Sequence, residues 1–290
     1  MRRVTLPTRL PGLGLRQPAL ARTTPTNHSP RWAWLGACLG LLVGLVTQAP
    51  AQWLAHGVEQ ASAGRVLLKY PQGTVWQGSA QWTLSDGQPN TKASANSDVA
   101  LPTRLHWQLG PQWIQSHGLA LELRLQSDCC ITQPLSVSIA PAWRGVTVHV
   151  ADHHSNWPAH WLVGLGAPWN TIAPQGQLQL RTQGLRWQTQ AGREQLQGQA
   201  ELQVLHLSTR LSTLRPLGSY RIQVQGGDTM ALNLDTLEGS LRLEGRGQWV
   251  NRRLRFLGEA SAEAEFEAAL SNLLNILGQR RGAKSIMELS

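Results

Sequence analysis

Phenylalanine and tyrosine are nearly missing from this chain, with two of each in 290 residues, while tryptophan supplies thirteen. Bulky core positions therefore fall to tryptophan and the aliphatics. Charge is also scarce: Asp, Glu, Lys and Arg make up 15%, where a soluble domain has about 25%. Residues 1–31 contain no acid at all, yet they hold six arginines (Arg2, Arg3, Arg9, Arg16, Arg22 and Arg31). Six of the nine net positive charges are thus in that tail, leaving three for everything else. That remainder cannot form the basic stripe a nucleic-acid-binding domain needs, so nucleic acid is not expected as a partner.

Motifs of chemistry are missing too. There is no H-E-x-x-H, no G-x-S-x-G and no C-x-x-C, which removes the common signatures of zinc proteases, nucleophile-elbow hydrolases and dithiol redox centres. The densest histidine group is His149, His153, His154 and His160, with Asp152 among them. Neighbours such as His153 and His154 point to opposite sides of a strand and cannot chelate together, so a surface turn is the expected setting. Gly110-Pro111 and Gly164-Leu165-Gly166 read as turns, not phosphate loops. The 17 acids are scattered and nominate no carboxylate pair, as a tethered glycan-acting enzyme would require. No catalytic, cofactor-binding or metal-binding residue is proposed, and no cofactor. Of three cysteines, Cys38 lies in an apolar run and Cys129 and Cys130 are adjacent. Adjacent cysteines close only a small, strained ring. Two half-buried side chains near a strand end are the expected state, with a redox-sensitive or intermolecular pair as the alternative.

Trp32 to Gly57 contains no Asp, Glu, Lys or Arg. A spanning helix needs about 20 mostly apolar residues, and Trp32 to Leu54 meets that length, with tryptophans at both ends where an aromatic belt would place them. A cleaved signal peptide is the competing reading. Gln48-Ala49-Pro50-Ala51 offers a small-residue site, but the leader is long for it. The arginines before the run, against Arg65 as the first basic residue after it, predict a cytoplasmic N-terminus. The expected organisation is a disordered Arg/Pro-rich tail at 1–31, a transmembrane helix at 32–54 and one β-rich domain at 55–290.

That last region alternates with period 2. Leu119-Ala120-Leu121-Glu122-Leu123-Arg124-Leu125 puts four leucines on one face, and Leu135 to Ile139, Val146 to Val150, Leu105 to Leu109, Ile222 to Val224 and Leu241 to Leu243 continue the pattern. This is the signature of antiparallel strands with one buried and one wet face. About twelve such strands imply a large sheet, curved or split into a flattened sandwich. The phase slips between Val204 and Leu205, which predicts a bulge. Ser85 to Asp98 reads as a loop. Helix is expected over Trp157 to Leu165, started by Pro158, and over Phe266 to Leu277, whose Phe266, Leu270, Leu273, Leu274 and Leu277 form one stripe before Gly278. Trp76, Trp82, Trp107, Trp113, Trp143, Trp157, Trp161 and Trp169 are read first as core, with a sugar- or lipid-contacting surface as the alternative.

Several stretches, in order, resemble the type II secretion system protein N family of Gram-negative bacteria. Gly73-Thr74-Val75-Trp76-Gln77-Gly78-Ser79-Ala80 is similar to its early Gly-Thr-Val-Trp strand, and Leu105-His106-Trp107-Gln108-Leu109 to the strand that follows. Pro216-Leu217-Gly218-Ser219-Tyr220, the run Thr236 to Trp249, and Leu270 to Gly282 resemble its later elements. The long leader and Cys129-Cys130 depart from the family pattern. The resemblance implies a non-enzymatic subunit of the inner membrane, with a periplasmic domain, that supports export of folded proteins across the outer membrane. Its implied partners are other secretion subunits and the inner membrane. The resemblance extends to AsmA-like sheets, which implies a lipid in the apolar face as the alternative. Thr74, Val75 and Trp76 are expected to start an edge-proximal strand.

Overall fold

The computed structural model describes residues 30–87, 98–114, 118–142, 145–190, 193–250 and 253–289. The tail to residue 29 and most of the expected loop at Ser85–Asp98 lie outside them. Contacts divide the chain into two units, Met1–Leu45 and Val46–Ser290.

The apolar run does not form one helix. Helix α1 spans Pro30–Thr47 and helix α2 spans Ala51–Ala61. Pro50 separates them. It has no N–H for the Val46 carbonyl and disfavours helical geometry at Ala49, and its own ψ is extended at 147°. Eighteen residues rise only about 27 Å, and Gly36, Gly40 and Gly44 dilute their hydropathy. Among the described residues no helix is long and apolar enough to cross a membrane. The continuous 32–54 helix is thus corrected to an 18-residue helix, a break and an amphipathic second helix.

Among the described residues fifteen strands follow: β1 (Val66–Gly73), β2 (Gln77–Leu84), β3 (Val99–Ile114), β4 (Gly118–Ser127), β5 (Ile131–Ala142), β6 (Gly145–Val150), β7 (His153–Pro158), β8 (Gln175–Gln190), β9 (Arg193–Ser208), β10 (Gly218–Gln225), β11 (Ala231–Glu238), β12 (Leu241–Val250), β13 (Arg253–Ala262), β14 (Gln279–Arg281) and β15 (Lys284–Leu289). All belong to one antiparallel sheet, not to a two-sheet sandwich, and their spatial order is almost their sequence order. β6 and β7 lie end to end along one edge of β8. At the far end β15 inserts between β13 and β14.

The phase slip is a bulge. Register shifts beside Leu205 and His206 against both neighbours, and His206 takes a positive φ of 51°. The C-terminal stripe also folds as its spacing predicts. A 3-10 turn at Ala264–Phe266 leads into a helix at Glu267–Leu277, and Leu270, Leu273 and Leu274 are buried. Its cap differs from expectation: Gly278 is extended, not left-handed, and Ser285 Oγ donates to the Leu274 carbonyl at 2.6 Å instead. The expected helix at Trp157–Leu165 is corrected in two ways. Trp157 and Pro158 end strand β7, and Ala159–Leu165 is a 3-10 helix. Pairing with β8 takes Trp157 opposite Leu178, and that tertiary pairing overrides the local helix start.

Three apolar clusters hold the sheet. Leu217, Leu241 and Ala260 pack under the C-terminal helix. Leu84, Leu101, Cys130 and Trp161 form the second, with Trp82 and Trp157 against them. Ala51 and Leu54 of α2 pack on Ala80, Trp107, Leu68, Leu123 and Leu125.

Candidate interaction surfaces

Gly73 to Ala80 is a hairpin connection. Gly73 ends β1, Thr74–Trp76 form the turn and the strand resumes at Gln77, so these three residues do not start a strand. The turn is closed by the Thr74 amide donating to the Gln77 carbonyl at 2.8 Å, while the Gln77 amide donates to Thr74 Oγ1 at 3.1 Å. Gly73 has φ of +89°, and a Cβ on Gly78 would meet the Trp107 ring at 2.5 Å. Trp107 therefore lies flat beneath the turn, its indole N–H donating to the Val75 carbonyl at 3.1 Å. The turn in turn grips the segment before α2. The Val75 amide donates to the Ala49 carbonyl at 2.9 Å, and Trp76 Nε1 donates to the Val46 carbonyl at 2.7 Å. The helix end leaves such carbonyls without intrahelical partners, and the indole supplies one.

The leucine face of β4 is not a closed core. Leu119 is 59% exposed, and Leu121, Leu123 and Leu125 are half-buried. Leu121 pairs Ile139, Ile139 pairs Val148 and Val148 pairs Trp187. A second row runs Leu180, Leu202, Ile222, Leu234. None of these eight side chains is buried. The helices cover the two ends of the sheet and leave these central rows half-buried.

The tryptophans divide. Trp107 and Trp161 are buried, and Trp82 meets Trp157 and Trp161 edge-on, while Trp157 and Trp161 stack at 5.3 Å. Trp113 and Trp169 are exposed, and Trp143 lies outside the described residues. Beside the stacked group Cys129 and Cys130 form a disulfide with Cα atoms 3.7 Å apart. This corrects the expectation of two separate thiols: the turn between β4 and β5 brings both sulfurs to one side, where Cys130 is buried.

The histidines do not converge. His153 and His154 sit in strand β7, not in a surface turn, because the segment pairs with β8. They face opposite sides, and burial together with the nearby His154 charge lowers the His153 pKa. Among the described residues no group of His, Cys, Asp or Glu could hold a metal ion. On the polar face Glu201 accepts from Gln223 at 2.7 Å and from Gln203 at 2.6 Å. Those bonds and the charges of Arg221 and Arg181 hold its carboxyl below the ordinary 4.5.

A cavity of about 1030 Å³ opens on β11, β12, β13 and β15, with Arg246, Arg253 and Arg255 in its wall. Sequence reasoning did not find it, because its arginines come from two strands whose register is set by the fold.

The motifs of the turn, the buried Leu217-Gly218-Ser219-Tyr220 and the Thr236 hydroxyl locked to Leu243 now bear on kinship. A family model described as type II secretion system (T2SS), protein N, matches residues 64–287. The chain belongs to that family. No curated protein and no solved structure matches it. The match starts just before β1 and ends within β15, so it covers the sheet with its C-terminal helix. As a T2SS protein N, the chain has a role in type II secretion, associated with the inner-membrane machinery and in contact with other subunits of it.

Proposed function

We infer that this T2SS protein N is a non-enzymatic subunit that supports export of folded proteins from the periplasm through protein–protein contacts. The observation that carries the reading is the family match over nearly the whole sheet. The sheet's open edges suit such contacts: β1 begins the strand order, and strand edges recruit extended partners. The subunit sits at the inner membrane with the largely apolar α1 as its attachment and the sheet in the periplasm. Deleting the coding sequence tests the role. Secreted proteins are expected to accumulate in the periplasm, and unchanged secretion would sink the reading. Release of the full chain from membranes by alkaline carbonate would sink the membrane attachment.

The half-buried rows favour a second reading, a lipid-handling module. A continuous apolar strip is normally covered by something, and an acyl chain fits a strip lined by Leu180, Leu202, Ile222 and Leu234. Native mass spectrometry of the full chain decides it. A stoichiometric phospholipid supports lipid handling, and a lipid-free protein that still supports secretion removes it.

A further inference from the structure

The cavity on β11–β13 and β15 lies on the opposite face from the apolar rows. Leu234, at the end of one row, pairs Gly245. The next residue, Arg246, therefore points the other way, in line with Asn233, Leu257 and Glu288 on neighbouring strands. Arg255 faces Gln248 and Ala231 in the adjoining line.

Two other arginines and a lysine at this end of the sheet are committed to carboxylates. Arg242 bonds Glu263 at 3.0 Å and Arg280 bonds Glu267 at 2.8 Å. Lys284 bonds Glu259 at 2.6 Å. Among the described residues Arg246, Arg253 and Arg255 have no carboxylate partner. Glu288 is the cavity's acid; it sits two strands from Arg246, roughly 10 Å by strand spacing, and diagonal to Arg255 on the adjacent strand. Three guanidinium forks thus face one carboxylate. Exposed apolar side chains on the same face are interleaved with them: Leu257 at 61% and Val250 at 37%. Beside the cavity the sheet is incomplete. β14 pairs only Lys284–Ile286 of β15, so among the described residues no strand flanks Met287–Leu289 on their outer side.

We propose that this cavity is a docking site for an extended acidic segment of another subunit, with carboxylates on Arg246 and Arg255 and apolar side chains on Leu257 and Val250. The proposal rests on the reading of the chain as a secretion subunit that works by protein contact. Guanidinium forks match carboxylates bidentately. Alternating apolar and acidic side chains on an extended strand suit a surface where arginine and leucine alternate. The unpaired backbone of Met287–Leu289 provides room and hydrogen-bonding groups for such a strand. A membrane lipid fits less well, because an acyl chain on the apolar rows would hold its headgroup on the other face of the sheet.

The test is photocrosslinking in cells that carry the secretion apparatus, with benzoylphenylalanine placed at Leu257 of the full chain. The expected result is an adduct to another secretion subunit, mapped by mass spectrometry to a peptide rich in Asp and Glu. It should fall at least about tenfold in Arg246→Glu/Arg255→Glu and less in Arg246→Lys/Arg255→Lys, which keeps the charge and loses the fork. All four replacements are at exposed positions, and circular dichroism checks the fold. An adduct to lipid, to a neutral or basic peptide, no adduct, or an adduct indifferent to charge reversal overturns the proposal. Secretion measured in the same cells separates the two readings. If deletion of the chain impairs secretion and the adduct fails, only the docking site falls. If deletion leaves secretion intact, the subunit reading falls whatever the adduct shows.

Discussion

The two ends of the sheet are closed by different materials. At the N-terminal end the core is tryptophan: Trp107 under the hairpin turn, and Trp82, Trp157 and Trp161 around the disulfide. At the C-terminal end it is leucine and alanine, with Leu270, Leu273 and Leu274 seated on Leu217, Leu241 and Ala260. The leucine end is a repeat of one local rule, a helix stripe laid on alternating strand residues. The tryptophan end depends on distant segments meeting, because an indole needs a large apolar slot, and Trp107 finds there a carbonyl for its N–H as well. Between them the central rows have neither kind of cover.

That contrast sets a ladder of expected effects, each readable as the midpoint shift of a denaturant melt at constant slope. Trp107→Ala should be the most damaging, at about 3–5 kcal/mol, because it removes the floor of the turn as well as a buried ring. A loss below about 1 kcal/mol would mean that the turn stands without it. Leu274→Ala should cost about 3 kcal/mol and unfold the C-terminal end first, seen as early loss of amide protection in β13 and β15. Leu202→Ala in the central row should cost about 1 kcal/mol, since only part of its surface is withdrawn from water. A cost equal to that of Leu274→Ala would show the rows to be covered in solution. Smallest is Glu201→Gln. The Glu201 carboxyl is depressed in the fold, so the unfolded state binds more protons and its stabilisation is present above pH 4.5. It is lost as pH falls through the depressed folded value. The variant should flatten that acid limb by less than about 1 kcal/mol, and an unchanged acid melt would contradict the bonding described.

Much of the sheet was legible because alternation is local: Leu119 to Leu125 and Val146 to Val150 announce strands without help from elsewhere. The C-terminal stripe and the bulge at Leu205 and His206 are equally local. What escaped has a long-range cause. Thr74–Trp76 look extended and are a turn because Gln77 closes back on Thr74 and Trp107 waits beneath. His153–Pro158 look like a turn and a helix start, and become a strand because β8 offers a free edge. The apolar run reads as one span by composition, yet Pro50 breaks it. The arginine cavity is invisible in the sequence, since Arg246 and Arg255 are brought to diagonal positions on one face only by the register of β12 on β13.

The strand order carries one more consequence, for how the chain is made. Because neighbours in space are almost always neighbours in sequence, a chain delivered N-terminus first can close each hairpin as it emerges, with short loops and little waiting. The exception is the end. β15 pairs with β13 over Phe256–Ser261 and forces the earlier β14 to the outside. The growing edge at β13 therefore stays open until Lys284–Leu289 arrive, and removing those six residues would leave a long unpaired edge for chaperones, proteases or a second copy to find.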